Sequence, residues 1–215
     1  MTRPVTYIYP AVNNAYIAAV QSRVGAGNMI FNGTFPADVN GVITFPRFAR
    51  TISLTSGNNN SAVNFTINGF QDGASFSETI AGPNANTVST ATLFDVVESI
   101  TSDGNINAVS AGIGVVGRTA WLINDYNRTV YNSSFIVVIS AAPSTITYSY
   151  ETTIDNVEEE NPANIQSIAP IANMTNAVVS ASSSSDRPCF ACCVSVSAST
   201  LGGSLRFTFL QQGIR

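Results

Sequence analysis

Val63-Asn64-Phe65-Thr66-Ile67-Asn68-Gly69-Phe70, then Gln71-Asp72-Gly73, then Ala74-Ser75-Phe76-Ser77-Glu78-Thr79-Ile80, is the stretch that sets the fold class. Apolar and polar residues alternate with a period of two on both sides of an Asp-Gly pair, which is the pattern of two half-buried strands joined by a tight hairpin turn. The same pattern extends in both directions. Upstream lies Ile52-Ser53-Leu54-Thr55. Downstream, Gly82-Pro83-Asn84-Ala85-Asn86 breaks the chain before a run over 93–100 that ends at a second Asp-Gly, Asp103-Gly104. Further runs cover 108–113, 119–123, 135–140, 145–152, 192–198 and 204–210, each bounded by Gly, Pro, Asn, Asp or Ser. Strands at this spacing predict an all-β protein, an antiparallel β-sandwich of jelly-roll or Ig-like type. Phe135-Ile136-Val137-Val138-Ile139 is continuously apolar, which predicts a central strand covered on both faces.

The expected organisation is an N-terminal arm with first strands over 1–49, a core sandwich over 50–154, an extended loop over 155–187 and closing strands of the same sandwich over 188–215. Residues 10–23 are compatible with one or two helical turns around Tyr16, Ile17 and Val20. The pattern dissolves over 155–187, through Glu158-Glu159-Glu160-Asn161-Pro162 and Ser182-Ser183-Ser184-Ser185; in a compact domain so long an excursion has a use of its own or stays disordered.

The composition removes several enzyme classes. The 215 residues contain no His and no Lys, and all nine basic residues are Arg. A Ser-His-Asp or Cys-His nucleophile needs an imidazole, Schiff-base chemistry needs an amine, and a phosphate-cradling P-loop needs its Lys. Ser, Thr and Asn together number 68, so the polar surface is built from neutral hydrogen-bonding groups. A net charge of −4 and scattered Arg argue against nucleic-acid binding, which requires a basic patch. No stretch has the roughly 20 apolar residues of a membrane span, and the N-terminal residues lack the pattern of a secretion signal, so a soluble protein without membrane contact is expected. The sequons at Asn32, Asn64, Asn127, Asn132 and Asn173 are expected to be unmodified surface.

Four constellations could carry chemistry, and each has a plainer reading. Cys189-x-x-Cys192-Cys193 offers thiolates, but zinc wants four ligands and the chain supplies no further Cys and no His; buried, reduced thiols are expected. Paired carboxylates leave a glycosidase open, yet most of the 13 acidic residues sit at turns, where Asp bonds its own backbone. Asn58-Asn59-Asn60, Asp125-Tyr126-Asn127 and Glu158-Glu159-Glu160 carry oxygen ligands suited to Ca²⁺ without the spacing of an EF-hand. Gly112-x-Gly114-x-x-Gly117 has the letters of a dinucleotide fingerprint without a βαβ unit around it, so these glycines mark a strand end or bulge. No catalytic residue, cofactor or metal is expected.

Several stretches together resemble a family of small structural proteins of tailed bacteriophages. They are Ile17-Ala18-Ala19-Val20-Gln21-Ser22 with 25–33, Arg50-Thr51-Ile52-Ser53-Leu54-Thr55-Ser56, Val63 to Gly69 with 78–87, Val109-Ser110-Ala111-Gly112-Ile113-Gly114, and Phe207-Thr208-Phe209-Leu210-Gln211-Gln212-Gly213. The stretch 155–187 departs from the family's pattern, being more polar and without an aromatic pair after Asn161-Pro162. The resemblance implies a virion protein, assembled in the host cytoplasm, and carries over no catalytic residue. A capsid decoration or cement protein is the expected role, with the major capsid protein or other virion subunits as partners and a homo-oligomer as the working form. The alternatives are a tail or head–tail component (an adaptor, a nozzle-associated ring or a fibre anchor) and a receptor- or glycan-binding β module. Tyr7, Tyr9 and Tyr16 in the arm, with Glu158, Glu159 and Glu160 in the excursion, are the candidate interface residues; the tyrosines could equally cap the protein's own core.

Overall fold

A computed structural model describes residues 4–124, 133–140, 145–169, 171–185, 189–200 and 203–211. Its strands are β1 (Val5–Tyr9), β2 (Asn13–Arg23), β3 (Gly27–Asn28), β4 (Ile43–Thr44), β5 (Phe48–Ser56), β6 (Asn64–Gln71), β7 (Ala74–Ala81) and β8 (Thr87–Ser89). They continue as β9 (Val96–Ser102), β10 (Ile106–Thr119), β11 (Leu122–Ile123), β12 (Ser133–Ser140), β13 (Ile146–Thr153), β14 (Ala181–Ser185), β15 (Ala191–Ser199) and β16 (Ser204–Gln211). Two single 3₁₀ turns, Pro162–Asn164 and Ala172–Met174, complete the regular structure, and no α-helix occurs among the described residues. The protein is an all-β fold of antiparallel sheets.

The chain divides into two compact units, residues 12–115 and residues 1–11 with 116–215. The stretch 50–154, expected to form one core, therefore contributes to both. The division falls inside β10, whose residues up to Val115 belong to one unit and whose end belongs to the other.

In the first of these units, the Asp72-Gly73 hairpin is β6–β7, paired from Asn64↔Ala81 to Gln71↔Ala74. Asp72 and Gly73 both have positive φ, 49° and 82°, as a two-residue type I′ turn requires. β9 lies on the other side of β6 and carries β3 and β4 along its far edge. A second sheet places β10 between β2 and β5, with β8 beyond β5. The buried sides of these sheets supply Ile17, Ile52, Leu54, Phe65, Ile67, Val97, Ile100 and Ile113 to the core.

The helical turns expected within 10–23 are absent, because this segment is β2. Its backbone is claimed from both sides: Ala18 pairs with Ala111 and Arg23 with Ile106 on β10, while Gly33 N–H donates to Ile17 O (2.9 Å) and Phe35 N–H to Tyr16 O (2.9 Å). Asn32 Oδ1 accepts the Ala19 N–H and Gln21 brackets Ile30, donating to its carbonyl and accepting its N–H, so side chains complete the ladder. Tertiary pairing here overrides the helix propensity of Ala15, Ala18 and Ala19.

In the second unit a four-stranded sheet runs in the order β1-β16-β12-β14. Its inner side carries Tyr9, Phe135, Val137, Leu205, Phe207 and Phe209, all buried. Tyr150 of β13 stacks on Phe135 at 4.0 Å and tilts against Phe207 at 6.2 Å, which joins this sheet to a second layer in which β13 pairs with β15. The other edge of β15 is taken by β11 and by Gly117 and Arg118 of β10.

Two expectations about this unit change. Phe135–Ile139 is central in its sheet, but only one side is covered: Phe135 and Val137 are buried while Ile136 is 41% exposed. The excursion 155–187 does not simply leave the domain. Ile168 and Thr152 exchange backbone hydrogen bonds, as do Ala177 and Tyr148, so the excursion closes the outer edge of β13 before it ends as the serine strand β14. A backbone with small, polar side chains still pairs when a neighbouring strand offers its N–H and C=O groups.

Candidate functional site

The register of the four-stranded sheet determines its outward side. Phe209, Phe207 and Leu205 of β16 are buried and lie opposite Val5, Tyr7 and Tyr9 of β1 and Phe135, Val137 and Ile139 of β12. The alternate residues therefore point away from the core: Thr6 and Ile8 on β1, Arg206, Thr208 and Leu210 on β16, Ser134 and Ile136 on β12, and Ser182 and Ser184 on β14. Thr6 and Thr208 face each other across the strands with hydroxyl oxygens 3.1 Å apart. Ile8 is 62% exposed, and Arg206 is the one charged residue on this outward side of the described strands.

A groove of about 580 Å³ crosses this side. Pro4, Ile136 and Leu210 provide an apolar floor, and hydroxyls of Ser134, Ser182, Ser184 and Thr208 border it. Among the described residues this surface has no nucleophile–base pair and no cluster of metal ligands. It offers neutral hydrogen-bonding groups around exposed aliphatic carbon, which suits burial against another uncharged protein surface without desolvating ions.

The residues expected to meet neighbours lie elsewhere. Tyr9 is fully buried within the protein's own core. Tyr7 is half-buried on the inner side of β1, opposite Phe207. Tyr16 is half-buried in an aromatic cluster, stacked on Phe35 at 5.0 Å and tilted to Phe45 at 6.1 Å; burial raises its phenol pKa, with the Arg50 charge opposing. All three tyrosines thus make contacts within the protein itself. Glu158, Glu159 and Glu160 are exposed on a turn closed by Asn156, which accepts the Glu160 N–H at 2.9 Å through its carbonyl and the Glu158 N–H at 3.1 Å through Oδ1.

Cys189, Cys192 and Cys193 are all buried. Cys192 faces the Tyr150 side of β15, and burial pushes its thiol well above the ordinary value. The Tyr150 hydroxyl is buried beside Cys192 with no nitrogen or oxygen partner among the described residues; burial and then the nearby thiols push its ionisation up. Asn124 donates to the Cys189 sulfur at 2.9 Å and to its carbonyl at 2.7 Å. Among the described residues no three His, Cys, Asp or Glu side chains are placed to share a metal. Asp125-Tyr126-Asn127 lies outside the described residues.

The loop Asn58-Asn59-Asn60 spends its side chains on the fold. Asn60, 3% exposed, donates through Nδ2 to Ser56 Oγ (3.1 Å) and Asn107 O (3.1 Å), and its Oδ1 accepts the Asn107 N–H at 2.8 Å. Asn59 Oδ1 accepts from Ser61 N–H and Oγ. Gly112 and Gly114 lie within β10, where a Cβ on Gly112 would meet Asn13 O at 1.9 Å; the glycines permit close strand approach at an irregular register.

Sequence reasoning passed over Arg50 and the outward side of the sheet. Arg50 is fully buried and donates Nε to Gly114 O at 2.9 Å, a role that an isolated Arg in a strand does not announce. The outward side was readable: the alternation of 204–210 assigns Arg206, Thr208 and Leu210 to one side once Phe207 and Phe209 are given to the core. Comparison with protein-family models, with curated proteins and with solved structures returned no match.

Proposed function

We propose that this chain is a structural subunit of a bacteriophage virion that binds the outer capsid as a decoration or cement protein, as a homo-oligomer. The observation that carries the reading is the outward side of the β1-β16-β12-β14 sheet, a groove of about 580 Å³ with an aliphatic floor and a hydroxyl border. A shell subunit needs a surface whose modest single contacts are multiplied by repetition, and a neutral Ser/Thr border around Ile136 and Leu210 supplies one. The resemblance of 17–22 with 25–33, 50–56, 63–69 with 78–87, 109–114 and 207–213 to structural proteins of tailed bacteriophages supports the virion context.

The experiment compares particles assembled with wild-type protein and with Ile136→Asp. Ile136 is 41% exposed, so a carboxylate there leaves the core intact while placing a charge in the groove. The expected result is loss of the subunit from the particle and earlier genome release on heating, with an unchanged melting curve for the isolated protein. Full occupancy with Ile136→Asp and unchanged heat resistance would refute attachment through this surface.

A further inference from the structure

The sheet that carries the groove ends in β14, Ala181-Ser182-Ser183-Ser184-Ser185, which pairs with β12 on one side and with no other strand among the described residues. Proteins blunt such edges with charge, proline, a bulge or a covering segment. Those devices are present elsewhere: residues 166–177 cover β13, and β7 carries Glu78, whose carboxylate accepts the N–H groups of Ala91 and Thr92. Among the described residues β14 has none of them. Its five residues hold no charge, no proline and no register shift, and Val178 and Val179 just ahead of it are 57% and 64% exposed.

We infer that β14 is a self-pairing edge whose occupant is β14 of a second copy of this chain. The inference rests on the homo-oligomer part of the proposed function and names its contact. Any extended segment could use the free backbone groups; the side chains favour a copy. Two β14 strands run antiparallel about a two-fold axis, and full-length pairing centres them on Ser183. Ser182 then faces Ser184 of the copy, Ser183 faces its own equivalent and Ala181 faces Ser185. Every opposed pair is small and neutral, so no step brings like charges or bulky groups together. A two-fold normal to the sheet keeps outward residues outward, so the two four-stranded sheets continue into one and the two grooves lie side by side across Ser182 and Ser184. Groove and edge therefore become parts of one neutral surface, larger than a single subunit presents.

The register makes the test sharp. Wild-type protein is measured by light scattering and by sedimentation over a dilution series, and a dimer of twice the 22.6 kDa chain mass is expected. Ser182→Lys with Ser184→Lys places like charges opposite each other twice, and a monomer is expected. Ser182→Lys with Ser184→Glu places each introduced lysine opposite an introduced glutamate, and the dimer is expected to return. Both side chains are exposed, so circular dichroism and melting should match wild type. Should either variant fail to fold, hydrogen exchange of the 181–185 amides in wild type decides, with protection expected to rise with concentration. A wild-type monomer, a larger closed ring, a dimer indifferent to the paired lysines, a lysine–glutamate variant that stays monomeric, or exchange independent of concentration would each overturn the inference. A monomer in solution would leave the virion reading standing, since that is decided by particle occupancy.

Discussion

Replacing Asn60 with Ala tests whether the Asn58-Asn59-Asn60 loop is a structural knot or a ligand site. The substitution removes the Nδ2 bonds to Ser56 Oγ, Asn58 O and Asn107 O and leaves the Asn107 N–H, held at 2.8 Å, without its acceptor. Ser56 Oγ keeps its bond to Asn107 O at 3.0 Å and still accepts the Asn58 N–H, so the loss is confined to the amide of Asn60. The two Nδ2 protons shared among these three acceptors are worth about 1 kcal/mol each, and an orphaned backbone donor about 1–3 kcal/mol, reduced here because Asn107 is exposed. The expected destabilisation is about 2–4 kcal/mol, which lowers the melting midpoint by roughly 5–15 °C for a chain of this length. Asn60→Asp separates hydrogen bonding from packing. It keeps an acceptor for Asn107 N–H but turns the donor into a second acceptor facing Asn107 O, and burial raises its carboxyl pKa above the unfolded value. The penalty is then full above the folded-state pKa and shrinks as pH falls through it. Thermal melts read by circular dichroism, with and without added Ca²⁺, are the assay. A midpoint shift under about 2 °C for Asn60→Ala would refute the reasoning, and so would a Ca²⁺-dependent rise in wild type that Asn60→Ala abolishes.

Further outcomes follow from the same geometry. Gly112→Ala drives a methyl group into the backbone of Asn13 and Asn14 and should cost upwards of about 3 kcal/mol or prevent folding. Gly73→Ala meets no neighbour and should cost only about 1 kcal/mol, from its positive φ; urea titration distinguishes the two. Stability should be flat between about pH 6 and 8, because no histidine titrates there. Asp103, bonded by Asn64, and Asp38, bonded chiefly by the Val42 N–H, have carboxyl pKa values held below the ordinary 3.8, so what they contribute is present above that value and is lost as pH falls below it. Cys192 and Tyr150 are raised, so stability should also fall as pH climbs above the ordinary thiol value of 9.0, where the unfolded chain releases protons first. The three thiols should resist a disulfide reagent in the native protein and react together after denaturation; prompt native reaction of Cys192 would contradict its burial.

The strands were legible where one side is buried and the other wet, as at Phe65-Thr66-Ile67 and Phe207-Thr208-Phe209, because burial imposes the period of two on the sequence. Legibility failed where pairing, not side-chain burial, makes the strand. Ala181 to Ser185 has no apolar period to read, and β2 holds alanines and asparagines whose extended form is set by β10 and by residues 30–35. The division inside β10 was equally hidden, since a long strand has the same local pattern wherever its partners change. Of the site, the outward parity of β16 was available from sequence. The sheet order that sets Ile136 between Thr208 and Ser182 was not, because it depends on contacts between residues far apart in the chain. The packing of Tyr7 and Tyr9 was hidden for a related reason: which side of β1 is turned inward follows from its pairing along its whole length with β16, residues far away in the chain.

On the proposed reading, the outward side of the four-stranded sheet attaches the subunit to a capsid shell. Electron cryo-microscopy of particles assembled in the presence of the protein tests this attachment most directly. Density for this fold repeated over the capsid exterior, with Ile136, Leu210 and Thr208 against neighbouring subunits, is the expected result. Absence of the fold from the particle, or its confinement to a single ring in the tail, would contradict it.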